Sequence, residues 1–282
     1  MTVRAALTDA VERLVHGGVA DARLTAEVLL ADALGKDRVH LFAYPEQELA
    51  ETVERRYRRS LGERLSGTPT QYITGRQEFY GHSFKVTPDV LIPRPETEHQ
   101  VETILRRQPE ARNVVDIGCG SGAIGISIAL ERPGTSVTLT DISLSALHVA
   151  RENALTLDAH VAFLCCDLGA ALAAAAFDVV VSNPPYIPLH ALDGLPREVR
   201  DHEPHVALVG AGVGVEIYRR LIADAERILR PGGLLSVELG YQDVDEVFPM
   251  FGRAWRFVEV SDDLAGWPRV LSGFFHPHGI PL

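Results

Sequence analysis

Asn183-Pro184-Pro185-Tyr186 puts a side-chain amide, two rings without N–H groups and an aromatic face in four consecutive positions. Each proline fixes its own φ and restricts the residue before it, so the turn is stiff. The Asn183 carbonyl oxygen and nearby backbone carbonyls then act as preset acceptors beside the Tyr186 ring. That suits an –NH2 group on a planar system, either a side-chain amide or a nucleobase amine. The plain alternative is a proline-rich loop built on an Asn-Pro turn, which is common. The setting favours chemistry, because the apolar run 177–182 before the turn reads as a buried parallel strand.

A second motif lies upstream. Asp116-Ile117-Gly118-Cys119-Gly120-Ser121-Gly122 follows Asn113-Val114-Val115, which reads as a first strand. It precedes an apolar helical run over 123–130 that Pro133-Gly134 ends. Its glycines let the chain turn tightly and let a ligand approach the backbone. The next strand, 136–141, ends in Asp141, an acid well placed for a pair of ribose hydroxyls. Gly118-x-Gly120-x-x-Ala123 followed by an acid also fits the dinucleotide fingerprint, so spacing alone leaves NAD and S-adenosylmethionine both open. Charge tilts the choice. A pyrophosphate favours a helix N-terminus without a carboxylate beside it. The ammonium and sulfonium of S-adenosylmethionine are attracted by one, and Asp116 opens this loop.

Other reactive side chains carry less. His82, His190, His202 and His205 include no evident general base. His202-Glu203-Pro204-His205 resembles a metal pair only loosely, since Pro204 breaks helical ligand spacing, and no metal is expected. The three cysteines, Cys119, Cys165 and Cys166, have neither zinc-ligand spacing nor a disulfide framework. They point to a reducing, cytoplasmic compartment.

The elements that must position these groups fall into two parts. A chain of 282 residues exceeds one typical domain, and 46% hydrophobic with 23% charged residues is ordinary for a globular protein. No apolar run is long enough to span a bilayer, and the N-terminus begins an amphipathic helix rather than a signal peptide. Net charge is −11 and falls almost wholly beyond residue 75, which argues against a polyanion-binding surface. Arg55-Arg56-x-Arg58-Arg59 is the one basic run and reads as a solvated helix face.

Residues 1–70 read as all-helical. Leu7, Val11, Leu14 and Val15 form one expected apolar stripe, Leu24, Val28, Ala31 and Leu34 another, and a longer helix is expected over 46–65. Residues 78–86 predict a hairpin and Val90-Leu91-Ile92 a short strand. From Asn113 strands alternate with helices, the pattern of a doubly wound α/β sheet. Later strands are expected at 162–165, 177–182, 234–239, 257–260 and 270–275. Pro231-Gly232-Gly233 reads as a turn and 170–176 as a short surface helix.

The chain resembles the bacterial release-factor glutamine methyltransferases, a branch of the S-adenosylmethionine-dependent Rossmann-like methyltransferases. The resemblance runs through Pro69-Thr70-Gln71-Tyr72-Ile73-x-Gly75, Glu78-Phe79-Tyr80-Gly81 and the stretch from Val90 to Glu98. It continues in the glycine loop, Asn183–Tyr186, Glu203-Pro204-x-x-Ala207-Leu208 and Pro231-Gly232-Gly233. It implies a seven-stranded, mostly parallel sheet with its last strand reversed. The implied domains are a helical substrate-recognition domain over 1–70, a linker with a β-hairpin over 71–95 and the methyltransferase domain over 96–282. The implied protein partner is a release factor, with the substrate glutamine in a Gly-Gly-Gln loop; no membrane or direct nucleic-acid partner is expected. By the same resemblance the donor is held by Arg94, Pro95, Thr97, Asp116, Gly118, Cys119, Gly120, Ser121, Gly122, Asp141, Ile142, Asp167, Leu168 and Asn183. Asn183 and Pro184 would act in catalysis with Tyr186, and Pro185 completes the substrate-binding turn. The chain departs from the family pattern at Gly212-Val213-Gly214-Val215, where Asp-Gly-Leu is frequent, and at Leu168, where an aromatic is common.

An amide nitrogen is a poor nucleophile because its lone pair is delocalised. Acceptors at the Asn183 side chain and the Pro184 carbonyl would hold both amide hydrogens and stabilise positive charge as the nitrogen leaves planarity. Tyr186 would pack on the amide plane. Three other readings stand beside this one: a nucleobase amino-methyltransferase using base flipping, a small-molecule amide or amine methyltransferase, and a non-enzymatic binding module.

Overall fold

A computed structural model describes residues 1–209, 214–240 and 242–277. Of the departure at 212–215, Gly212 and Val213 lie outside the described residues. Two compact units emerge: residues 1–76 with 196–202, and residues 77–195 with 203–282.

In the first unit Val3–His16 packs on Ala22–Leu34, and Glu51–Leu65 packs on both. Thr2 caps the first helix through its side chain. The stripe of that helix is Val3, Ala6, Ala10 and Leu14; Leu7 and Val11 flank it and Val15 is exposed. Small alanines at the centre let the helices approach closely, which rotates the buried face away from Val15. In the second helix Ala22, Ala26, Leu29, Leu30 and Ala33 join Ala31 in the core, whereas Leu24 is exposed. The third long helix begins at Glu51 rather than at 46. Residues 45–49 have another task. Val3 and Arg4 donate to the Gln47 and Pro45 carbonyls, and Leu49 donates to Met1, so this segment satisfies open amides of the first helix. Two short helices absent from the expected set, Arg38–Ala43 and Thr70–Thr74, complete the bundle, with Arg197–His202 in the same unit. Buried Glu27 is held by Arg23 and Arg38 at 3.0 and 2.6 Å.

Next comes a hairpin of β1 (Arg76–Phe79) and β2 (His82–Lys85), which from Gln77 on belongs to the second unit. Both turn residues, Tyr80 and Gly81, have positive φ, as a two-residue primed turn requires. Seven strands form the main sheet: β3 (Asn113–Ile117), β4 (Ser136–Asp141), β5 (Val161–Cys165), β6 (Phe177–Ser182), β7 (Leu229–Glu238), β8 (Trp255–Asp262) and β9 (Pro268–Phe275). Their order is β5-β4-β3-β6-β7-β9-β8. The first five are parallel, β9 runs antiparallel to β7, and β8 pairs antiparallel to β9. The last strand is thus reversed and sits inside the sheet.

Alternation along the strands builds two cores. Val115, Ile117, Val180, Leu235 and Val237 face the helix Glu216–Ile228. Val114, Val179, Val181 and Leu234 face the helices Glu98–Arg107 and Ala123–Glu131. Covering both faces explains why these strands read as unbroken apolar runs.

Three local expectations are corrected. Val90-Leu91-Ile92 is not a strand, although Val90 and Ile92 bury their side chains. The alanines at 170–176 form turns, with Ala175 and Ala176 donating to the Arg227 and Ile228 carbonyls. Pro231-Gly232-Gly233 lies within β7 as a bulge, where pairing with β6 jumps from Leu229 to Leu234 while the partner advances from Phe177 to Val179. Among the described residues no helix is long and apolar enough to cross a membrane.

Candidate active site

The chain leaves β3 to β4 on one side, and β6 lies on the other. Sheets of this kind bind ligands at that reversal, beyond the strand carboxyl ends. The glycine loop after β3, Asp141 ending β4 and Asn183 after β6 all meet there, in one cleft. Gly118, Cys119, Gly120, Ser121, Asp141, Ile142, Asp167, Leu168, Arg94, Thr97, Asn183 and Pro185 contribute to its wall. Asp116, Gly122, Pro95, Pro184 and Tyr186 are not among the residues forming that described wall.

The loop is tied to the acid beside it. Gly118 and Cys119 donate to the Thr140 carbonyl at 2.8 and 2.9 Å. Gly120 N donates to Asp141 Oδ2 at 2.9 Å and Ser143 N to Asp141 Oδ1 at 2.8 Å. Each carboxylate oxygen keeps lone pairs for a further donor, such as a ribose hydroxyl. Burial raises the Asp141 pKa against these backbone donors. Gly122 has φ +81°, and a Cβ there would stand 2.7 Å from Ile126 Cδ1, so loop and helix pack as only glycine permits.

Asp116 is fully buried. Its Oδ2 accepts from Gly125 N at 2.9 Å, while Oδ1 has no hydrogen-bond partner. Burial lifts its pKa to about 7, opposed by the Gly125 N–H. A cationic group in the neighbouring cleft would lower it again through space. These residues therefore fit a donor carrying an ammonium and a ribose. Cys119 is buried, and desolvation pushes its thiol pKa up, which leaves it unreactive. Asp167 is ion-paired to Arg220 at 2.6 Å, and both line the cleft. Leu168 holds a positive φ of 48° on the wall.

The amide-facing half rests on residues distant in sequence. Gln100, fully buried, donates from Nε2 to the carbonyls of Ser182 and Ser236 at 2.9 and 3.1 Å. Ser182 Oγ donates to the Ile117 carbonyl at 2.7 Å. The residue before Asn183 is thus fixed from two sides. Asn183 Nδ2 donates to Thr97 Oγ1 at 3.4 Å, and Thr97 Oγ1 donates to Glu238 Oε2 at 2.5 Å. Glu238 ends β7 with 2% exposure. Tyr186 is half-buried against the first core, and burial pushes its phenol up to about 12, with the Glu238 charge adding to the rise. Arg94 Nη2 donates to buried Glu203 at 2.6 Å. Among the described residues no cluster of His, Cys, Asp or Glu is arranged to hold a metal ion.

Glu238, Gln100 and Arg220 were outside the expected site. An acid closing an apolar strand pattern was the available signal for Glu238, the same signal that marks Asp141.

Residues 97–194 match the family described as methyltransferase small domain, and residues 5–75 match the PrmC N-terminal domain. A release factor glutamine methyltransferase from Koribacter versatilis is 44% identical over 276 residues, covering 97% of this chain and 98% of its own. One of the same name from Moorella thermoacetica is 47% identical, with 95% and 97% covered. A methyltransferase structure from Pyrococcus furiosus aligns with TM-score 0.51 at 20% identity, over 70% of this chain and 90% of its own. The hMettl16 catalytic domain aligns with TM-score 0.55 at 17% identity, over 77% and 81%. At such identities the two structures speak for the fold.

Proposed function

The chain belongs to the release factor glutamine methyltransferase family, and from that premise we propose that it methylates the side-chain amide nitrogen of a glutamine in a peptide chain release factor, with S-adenosylmethionine as donor. The observation that carries this reading is that Asn183, the glycine loop and Asp141 line the same cleft.

Bound there, the donor supplies a methyl group activated by a sulfonium sulfur. Asp141 would take the ribose hydroxyls and the loop 118–122 would border the methionine portion, while Asp116, buried behind the wall, would attract the ammonium through space by its charge. Leu168 covers the adenine by apolar contact in place of aromatic stacking. Asn183 Oδ1 and the Pro184 carbonyl accept the two amide hydrogens of the glutamine, and Tyr186 packs on the amide plane. Held so, the nitrogen lone pair is aimed rather than sampled, and charge on the pyramidalising nitrogen meets preset acceptors. The amide proton leaves after transfer, to water.

The test is methyl transfer from labelled donor to three acceptors: a release factor, its Gly-Gln→Gly-Ala variant, and duplex DNA. Label is expected in the first alone. Equal label in the variant would remove the glutamine from the proposal, and label in DNA would replace the substrate class.

A further inference from the structure

We propose that Glu238 is a positioning residue: through Thr97, its carboxylate fixes the Asn183 amide with Nδ2 turned inward, leaving Oδ1 as the acceptor for substrate. This rests on the glutamine methyltransferase reading above. The reasoning is a count of protons. An ionised carboxylate only accepts. The Thr97 hydroxyl has one proton, and at 2.5 Å it is committed to Glu238 Oε2. Thr97 Oγ1 therefore has only lone pairs left for Asn183, 3.4 Å away. Of the two ends of the Asn183 amide, only Nδ2 can satisfy a lone pair. Oδ1 then faces outward, which is the orientation an acceptor for –NH2 must have. This chain of donors fixes which end of the amide faces Thr97.

The relay is enclosed. Thr97 is 4% exposed and Glu238 2%, so water does not compete for either. The Tyr218 hydroxyl donates to the Glu238 backbone carbonyl at 3.0 Å, and Leu239 N donates to the Arg269 carbonyl at 2.8 Å, which hold the strand end in place. The groups facing the carboxyl come from every neighbouring element. They are Thr97 and Glu96 before the helix Glu98–Arg107, Asn183 and Tyr186 after β6, Tyr218 from Glu216–Ile228, and Arg269 on β9, with Asp243 beside Tyr186. Burial raises the Glu238 pKa to about 7; the Thr97 hydroxyl, Arg269 and the Asn183 amide lower it, and Glu96 raises it.

Protonation reverses the relay. A neutral Glu238 donates its O–H to Thr97 Oγ1, the Thr97 proton turns to Asn183, and the amide rotates to present Oδ1 inward. Nδ2 then meets the substrate –NH2, donor against donor. Turnover is lost while the donor half of the cleft is untouched.

The experiment measures kcat against pH at saturating donor and release factor, for the wild type, Glu238→Gln, Thr97→Ser and Thr97→Val. The wild type should lose about tenfold in kcat per pH unit on the acid side of neutrality, as one proton requires. The glutamine amide does not titrate there. Glu238→Gln should abolish that acid limb and lower kcat at pH 8, since a glutamine can present either end to Thr97. Thr97→Ser, which keeps the hydroxyl, should retain turnover, and Thr97→Val should lose it. A purely structural Glu238 would shift melting temperature or KM and leave the acid limb in place. The proposal is overturned by a wild-type acid limb in Glu238→Gln, or by wild-type kcat in Thr97→Val. Should Glu238→Gln not fold, the Thr97 pair decides alone. Wild-type activity on the release factor is the baseline, so failure of the relay and failure of the substrate assignment give different results.

Discussion

Removing Asp141 and removing Asn183 should leave different signatures. Asp141→Ala deletes the acceptor for the ribose and the anchor of Gly120 N, so donor affinity should fall by about 1.5–3 kcal/mol, the range for hydrogen bonds to a charged group. Asn183→Ala removes a transition-state contact, so kcat should drop at least about a hundredfold, far more than donor affinity falls. Calorimetry and saturation kinetics on the two variants check both; a swap of the two effects would invert the assignment of the cleft's halves. These residues could be found in the sequence because each belongs to a contiguous motif at a strand end. Glu238 also closes a strand, but its partner Thr97, and the partners of Gln100, could not be found that way. Thr97 and Glu238 are 141 positions apart, and Gln100 and Ser182 are 82 apart. Nothing local in the text of the chain joins them; the strand order does.

At the scale of elements, the turn is only as fixed as the strand that delivers it. Gln100 spans two strands from one helix, so Gln100→Leu strands two carbonyls in the core. Each buried unsatisfied group costs about 1–3 kcal/mol, and for a chain of this size each kcal/mol lowers Tm by roughly 2–4 °C. A thermal melt with parallel turnover measurement should show both falling; an unchanged melt would mean the clamp holds nothing. The sheet itself was readable, because β3, β4 and β6 are apolar runs bounded by glycine, proline or an acid. The extension of β7 back to Leu229 was not, since Pro231-Gly232-Gly233 carries turn chemistry that a bulge also uses. Val90 and Ile92 look like strand residues because they are buried, and burial alone imposes no ladder. The stripes of the helical unit were misplaced by a turn-face because alanine, the residue at the closest contacts, signals burial weakly.

For the whole molecule, the division into two compact units matters most for substrate choice. On the helical unit Arg56 pairs with Asp32 at 2.8 Å, Arg58 with Glu54 at 3.4 Å and Arg59 with Glu63 at 2.8 Å, so the basic run is largely neutralised in place. If this unit docks the release factor, Arg55→Glu with Arg58→Glu should raise KM for that protein. Melting temperature and donor affinity should hold, because exposed pairs contribute only about 0.3–0.5 kcal/mol. Release-factor kinetics that ignore this and every other exposed change on the unit would make it a stabilising cap. The placement of β9 has a consequence of another kind. It is made after β8, yet β8 reaches the sheet only through it. A ribosome that has completed β8 has therefore produced a strand with nowhere to go, and β7 waits with a bare edge. Synthesis halted before Pro268 would release a chain with the β7 edge bare and β8 wholly unpaired, the form of a nascent protein most prone to pair with its neighbours.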